Sequence, residues 1–338
     1  MSKKNSSVNL KNGFKDFKDL SEIFQNFKLK LDKLNKKNYL VAVSGGPDSL
    51  ALVALSKAYT FLKKSKFHYV LIDHKIRDKS GQEAKKVKSL LKKRKINLKV
   101  LENKKKIFKN IQAEARISRY EILINYCKRN KIQTILTAHN LEDQVETFLI
   151  RLSRGSGLKG LSAMKPLSTI SAKVELFRPL LDVKKYFLIK ISKSIFGTYI
   201  KDPSNKNVKF LRTKVRNLKK PLEKSGIRYE QIFRSIQNLS FSKSTLENYS
   251  SKIFKKIIKN KENEISINFK KYQELSHDIK LALINESIKK LRKNYYDLRS
   301  KKVANLIDSL NRKNFKKSTL GGCIFFKKNN NLCLKVEK

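Results

Sequence analysis

"VAVSGGPDSLALVAL", residues 41–55, is the stretch on which the reading of the chain turns. An apolar, β-branched run leads into Ser44, Gly45, Gly46, Pro47, Asp48 and Ser49, and a second apolar run starts at once. A strand that turns on two glycines into a helix aims backbone N–H groups and the positive helix end at an anion. The glycines serve where φ is positive or a ligand comes close, and Ser44 and Ser49 add hydroxyl donors. The nucleotide loop G-x-x-x-x-G-K-[ST] is absent, since no lysine follows and the glycines are adjacent. Asp48 stands in the loop instead, and a carboxylate among phosphates calls for a bridging Mg²⁺. An ordinary tight strand-to-helix turn would account for the glycines alone.

Working outward, "YLVAV" reads as a buried strand ahead of the turn and residues 50–62 as a helix. "FHYVLID" (67–73), "LKVLE" (98–102) and "IQTILTA" (132–138) read as further strands. Helices are expected over 80–94, 110–129 and 141–152. Strands alternating with helices of this length predict an α/β fold, a parallel Rossmann-like sheet with right-handed crossovers. Ligands on such sheets bind at the carboxyl ends of the strands, which singles out 44–49, 73–77 and 137–143. Phe14, Phe17, Leu20, Phe24, Phe27, Leu31 and Leu34 recur at helical spacing ahead of the sheet. Residues 153–210 read as loops around one strand-like piece, "KVELFRPLL", and a helix over 184–196. Residues 228–258 and 270–312 read as basic helices around a short strand, "EISIN", and "CIFFKKNNNLCLKV" as a β hairpin on an Asn-rich turn. The expected organisation is an N-terminal amphipathic helix (1–37), a catalytic domain (38–220), a basic helical region (221–315) and a small C-terminal β hairpin (316–338).

Lys and Arg number 79 against 28 Asp and Glu, a formal net charge of +51. A polyanion such as nucleic acid is the partner this implies, although compositional drift toward Lys, Asn and Ile would also enrich lysine on every solvated face. Cys127, Cys323 and Cys333 form no CxxC pair, which argues against a metal cluster or a disulfide framework and for a reducing compartment. No apolar run approaches the ~18 residues of a membrane span, and the basic N-terminus lacks the apolar core of a signal peptide. A cytoplasmic protein without membrane contact is expected.

"SGGPDS" resembles the SGGxDS signature of the N-type ATP pyrophosphatases, the PP-loop superfamily, whose members cleave ATP between the α and β phosphates. Within it, "DHKIRDKSGQEA" (73–84), "NIQAEARISRY" (110–120), "TAHNLEDQVETFLIRLSRGSGLKGLSAM" (137–164), "FRPLL" (177–181) and "DPSNKNVKFLRTKVR" (202–216), in this order, resemble the tRNA(Ile)-lysidine synthases. The likeness is dense over about 38–220 and returns at "TLGGCIFFKKNNNLCLKVE" (319–337). It implies a carbon–nitrogen ligase that uses ATP and Mg²⁺, free L-lysine and the isoleucine tRNA with a CAU anticodon. In the implied reaction, O2 of the wobble cytidine attacks the α-phosphate, and the lysine ε-amine then displaces AMP from C2. Two departures stand out. Asn140 follows His139 where the family usually has two histidines, and Glu142 with Asp143 replaces paired aspartates.

With this chemistry in view, Ser44 to Ser49 are the pyrophosphate cradle, with Asp48 on Mg²⁺. The attacking amine must be neutral, and deprotonating an ordinary lysine at pH 7 costs roughly 4 to 5 kcal/mol, so a base is needed. His139 is the base candidate, and a packed histidine at a strand-to-helix turn the alternative. Asp143 and Glu146 share a helix face and are candidates for the lysine α-ammonium, with Asp143 also for Mg²⁺; a solvated acidic face is the plainer reading. Asp73 is a candidate for the adenosine ribose or for capping its own turn. Arg116 is assigned to the substrate carboxylate, and Arg77, Arg119, Arg154, Arg178, Arg212 and Arg216 to tRNA, with surface ion pairs as the alternative; the basic helical region 221–315 is expected to bind the tRNA through its phosphate backbone, most of its single lysines being merely solvated. Asp202 to Asn205 are expected to form a structured turn. The oligomeric state is not legible, a homodimer being one arrangement left open. A tRNA thiolase, another PP-loop enzyme, is the rival reading; those that use catalytic or cluster-binding cysteines need them at the site.

Overall fold

The structure is a computed structural model, and it describes residues 10, 14, 18–75, 80–103, 111–200, 211–260, 263–292, 298, 300–312 and 314–337. It divides into two compact units, residues 1–150 with 163–234, and residues 151–162 with 235–338. In chain order the first elements are α1 (Lys18–Leu34), β1 (Asn38–Val43), α2 (Pro47–Tyr59), β2 (Lys66–Asp73), α3 (Ser80–Lys92), β3 (Leu98–Glu102), α4 (Ile111–Arg129), β4 (Thr134–Leu136) and α5 (Leu141–Leu152). The short α6 (Leu158–Leu161) precedes β5 (Leu167–Ser171), β6 (Val174–Phe177), α7 (Lys185–Phe196), α8 (Leu211–Asn217) and α9 (Lys219–Lys224).

The first unit is built on a six-stranded sheet of order β3-β2-β1-β4-β6-β5, parallel except for β5. Alternation along β1 sends Tyr39, Val41 and Val43 to one face and Leu40 to the other, so both faces must be covered. On the first face, Leu20, Phe24, Phe27 and Leu31 of α1 bury together with nearly all of α2 and with Leu188, Ile191 and Ile195 of α7. On the second, Leu123 and Cys127 of α4 pack on Leu40, Val70, Ile135 and Leu176. Helix α2 is apolar all round because it lies in the core. The strand order reverses between β1 and β4, and such a switch point opens a crevice at the carboxyl ends of the strands.

The register brings those ends to one edge, since Val41 pairs with Leu136, Leu136 with Phe177, and Val43 with Leu71. Ser44, His74, Thr137 and Arg178 each follow directly. The region 153–210 holds two paired strands where one was expected, and β6 stops at Phe177, before Arg178. Edge strand β5 is short and irregular between Thr169 and Ser171, and the residue types of its sequence, LSTIS, do not alternate cleanly between apolar and polar.

The second unit follows α10 (Tyr229–Ile257), which starts in the first, with β7 (Ile258–Asn260), β8 (Glu264–Asn268), α11 (Phe269–Gln273), α12 (His277–Leu291) and α13 (Ser300–Leu310). Strands β9 (Lys317–Leu320), β10 (Cys323–Lys328) and β11 (Asn331–Val336) close it. The expected hairpin is present as β10–β11, turning on Asn329 and Asn330, both at positive φ as a two-residue hairpin loop requires. It forms part of a larger antiparallel sheet of order β7-β8-β11-β10-β9. Ile265, Ile267, Phe325, Leu332 and Leu334 of that sheet bury against Leu283, Ile284 and Ile288 of α12 and Val303 and Leu310 of α13. No helix among the described residues is long and apolar enough to cross a membrane.

Candidate active site

Strand β1 ends at Val43 and α2 starts at Pro47, so the turn has only three residues in which to reverse direction. Gly45 takes φ +81°, and a Cβ there would lie 2.5 Å from Cγ2 of buried Val87. Gly46 is the N-cap of α2 and Pro47 its first residue, where a missing N–H costs nothing. Ser49 holds the turn by donating from Oγ to the Gly46 carbonyl (3.0 Å) and accepting from the Ser44 N–H (3.2 Å). The Ser44 hydroxyl donates to Ser49 Oγ (3.1 Å). The loop is therefore fixed by its own serines at the N-terminal end of α2, where backbone N–H groups are placed to face an anion.

Asp48, the second residue of α2, has its side chain 24% exposed. Lys185 Nζ, from α7, stands 3.6 Å from Oδ2, while Oδ1 is buried with no hydrogen-bond partner. Burial, opposed by Lys185 and reinforced by Asp143 and Glu142, pushes the carboxyl up to about 6. A desolvated carboxylate oxygen without a donor is a fitting ligand for a hard cation. Among the described residues no group of three or more His, Cys, Asp or Glu side chains comes together.

At the neighbouring strand end, Asn140 and Asp143 form a reciprocal cap on α5. The Asp143 N–H donates to Asn140 Oδ1 (2.9 Å) and the Asn140 N–H to Asp143 Oδ2 (3.2 Å). Asn140 is thus the capping residue, 1% exposed, with Nδ2 buried and unpartnered. One turn on, Glu146 is 4% exposed and holds two arginines, Arg212 Nε at 2.7 Å and Arg216 Nε at 2.6 Å. Arg212 Nη2 also donates to Asp143 Oδ1 (2.6 Å). Glu142 accepts from the Lys185 backbone N–H (2.9 Å), with Lys219 Nζ at 3.5 Å. The side chains expected to hold lysine, Asp143 and Glu146, are thus paired with two arginines expected to face tRNA.

His139 accepts or donates at Nδ1 to Thr137 Oγ1 (3.0 Å). Burial, then the guanidiniums of Arg178, Arg116, Arg212 and Arg119, drive its pKa down to about 3, so the ring is neutral at physiological pH. Arg178 is 9% exposed, fixed by the Lys165 carbonyl (2.7 Å) and Ser168 Oγ (3.0 Å), with Nε buried and unpartnered. Arg116 lies over the Tyr120 ring. Arg119 Nε donates to His74 Nε2 (3.3 Å), which leaves the His74 proton on Nδ1. Burial and Arg119 lower His74 to about 4. Asp73, the last residue of β2, accepts the Lys75 N–H (2.9 Å) and caps its own turn. Arg154 lies in the second unit. Arg77 and Asp202 to Asn205 lie outside the described residues. Cys127 packs in the sheet core, and Cys323 and Cys333 are buried in the second unit, so none of the three lines this crevice.

Three contributors escaped the sequence reading. Lys185 carried no local signal, because only packing of α7 on α2 brings it to Asp48. Lys219 likewise comes from a distant helix. Asn140 had a signal, an Asn three residues before an acid at a helix start, which its position in place of a histidine obscured.

A family model described as a PP-loop domain matches residues 18–222. The tRNA(Ile)-lysidine synthase of Wolbachia pipientis wMel is 31% identical over 321 residues, 94% of this chain and 74% of that protein. That of Orientia tsutsugamushi (strain Boryong) is 41% identical over 183 residues, 54% of this chain and 41% of the relative. Among solved structures, the U34-tRNA thiolase NcsA from Methanococcus maripaludis with its [4Fe-4S] cluster aligns at TM-score 0.55 and 19% identity, covering 65% of this chain and 78% of that one. At that identity the likeness concerns the fold alone.

Proposed function

We propose the following reaction for this chain, which belongs to the tRNA(Ile)-lysidine synthase family of PP-loop ATP-dependent ligases: the joining of free L-lysine to C2 of the wobble cytidine in the isoleucine tRNA with a CAU anticodon, in the cytoplasm. Cytidine O2 attacks the α-phosphate of ATP, pyrophosphate leaves, and AMP is held on O2. The lysine ε-amine then attacks C2, the C2–O2 bond breaks, and AMP departs.

The observation that carries this reading is the adjacency of an anion cradle and a buried acidic cluster at one sheet edge. Asp143 and Glu142 are near enough to Asp48 to raise its carboxyl. A phosphate-binding turn beside carboxylates suits a reaction that brings a triphosphate and a diamine together. The N–H groups around Gly45 to Ser49 receive the departing pyrophosphate. Asp48 and Asp143 would hold Mg²⁺, which when bound supplies charge neutralisation for the leaving group. Asp143 and Glu146 receive an ammonium group of lysine in exchange for Arg212 and Arg216, and the freed guanidiniums then face the anionic adenylate. The positive field that keeps His139 neutral also opposes the ε-ammonium form of lysine. Once phosphate offsets the arginines, His139 accepts the ammonium proton.

The test is the release of AMP and pyrophosphate by purified protein, measured by chromatography. Release should require the tRNA, and its second product, AMP, should require lysine as well. Equal AMP release without lysine would refute the assignment of lysine as the second nucleophile.

A further inference from the structure

Helix α10 has two unlike sides within the second unit. Leu246, Ile253, Phe254 and Ile257 face the core of that unit. Roughly 80° to 180° around the axis from the mean direction of those four, taking 100° per residue, lie Phe241, Asn248, Tyr249, Lys252, Lys255 and Lys256, all exposed. The rings are not incidental edges of the core, since Phe241 is 69% and Tyr249 52% exposed. The stripe spans about 22 Å along the helix and includes no carboxylate; Glu247, the acid of this stretch, points to another side of the helix.

We propose that this stripe binds unpaired RNA, with Phe241 and Tyr249 stacking on bases and Lys252, Lys255 and Lys256 tracking phosphates. Flat rings offer every base a π-face, and lysines roughly one to two turns beyond Tyr249 reach the backbone of the same strand. Charge complementarity selects RNA over a second copy of this chain, because two lysine-rich stripes would repel. The proposal rests on the reading of the protein as a tRNA-modifying enzyme; to the phosphate-backbone contact expected of the basic helical region it adds base stacking on two named rings.

The experiment measures equilibrium binding of the full chain to the CAU-anticodon isoleucine tRNA transcript and to an abasic ribose-phosphate oligomer, across a salt series and without ATP or lysine. The Phe241→Leu/Tyr249→Leu double variant keeps the apolar surface but loses the π-faces. It should bind the transcript about tenfold more weakly, bind the abasic oligomer as the wild type does, and keep the wild-type salt slope. The Phe241→Tyr/Tyr249→Phe variant should restore binding. Substitution of Lys252, Lys255 and Lys256 by Gln should instead flatten the log–log salt slope by roughly two or more. Unchanged transcript binding in the leucine variant, or an equal loss on the abasic oligomer, would overturn the proposal. Lysine transfer with stripe-independent binding would sink the stripe alone, and stripe-dependent binding without lysine transfer would sink the assigned reaction alone.

Discussion

Asp48→Asn is expected to stabilise the ligand-free protein while abolishing its chemistry. The wild-type carboxyl sits near pKa 6 in the fold because burial outweighs Lys185, against about 3.9 in the unfolded chain. A carboxyl raised on folding binds its proton more tightly in the native state, so the wild type gains stability as pH falls through about 6 and loses it as pH rises. The gap of about 2 units corresponds to about 3 kcal/mol at pH 8. Asparagine carries no charge and escapes this penalty. Urea midpoints measured from pH 8 to pH 4.5 should show the variant more stable by up to about 3 kcal/mol at pH 8, with the difference shrinking toward the acid end. AMP production should fall below detection while tRNA affinity stays near wild type. A variant less stable than wild type at pH 8, or a gap that widens on acidification, would refute the desolvation argument. Loss of tRNA binding as large as the loss of turnover would contradict the assignment of Asp48 to the metal.

Three further outcomes follow from the same geometry. Gly45→Ala puts a methyl group 2.5 Å from Val87 Cγ2 at a positive φ, so pyrophosphate release should collapse with a stability loss of about 1–3 kcal/mol, read by calorimetry and product assay. Asn140→Ala removes the α5 cap and should cost about 1 kcal/mol and raise the lysine KM more than it lowers kcat, whereas Asn140→Asp keeps the cap; equal KM in all three proteins would mean the cap does not orient Asp143. The His139 ring, with its pKa down near 3, should show no NMR titration between pH 8 and pH 5 in the ligand-free protein, and a midpoint near 6.5 would contradict the arginine field.

The PP-loop was legible because everything it needs is local. A strand, two glycines, a helix-starting proline and an acid occur in one run, and the structure folds that run as read. The sheet was legible for the same reason, through alternation on β1 and the spacing of the helices. What the sequence hid is pairing at a distance. Arg212 and Arg216 look like any basic pair until α8 brings them onto Glu146. The tail hairpin gives no local hint that β11 also pairs with β8, because antiparallel edges are chosen by tertiary packing. Asn140 shows the converse case, a cap readable from its Asn-x-x-Asp spacing but masked by comparison with the histidine usual there.

Transfer of radiolabelled lysine to tRNA tests the central claim most directly. Full-chain protein with ATP, Mg²⁺ and labelled lysine should label the isoleucine transcript bearing a CAU anticodon, and nuclease digestion should return the label on the wobble nucleoside. A transcript with the wobble cytidine changed to uridine should take none. Folded protein that binds the CAU transcript yet leaves it unlabelled would contradict the account.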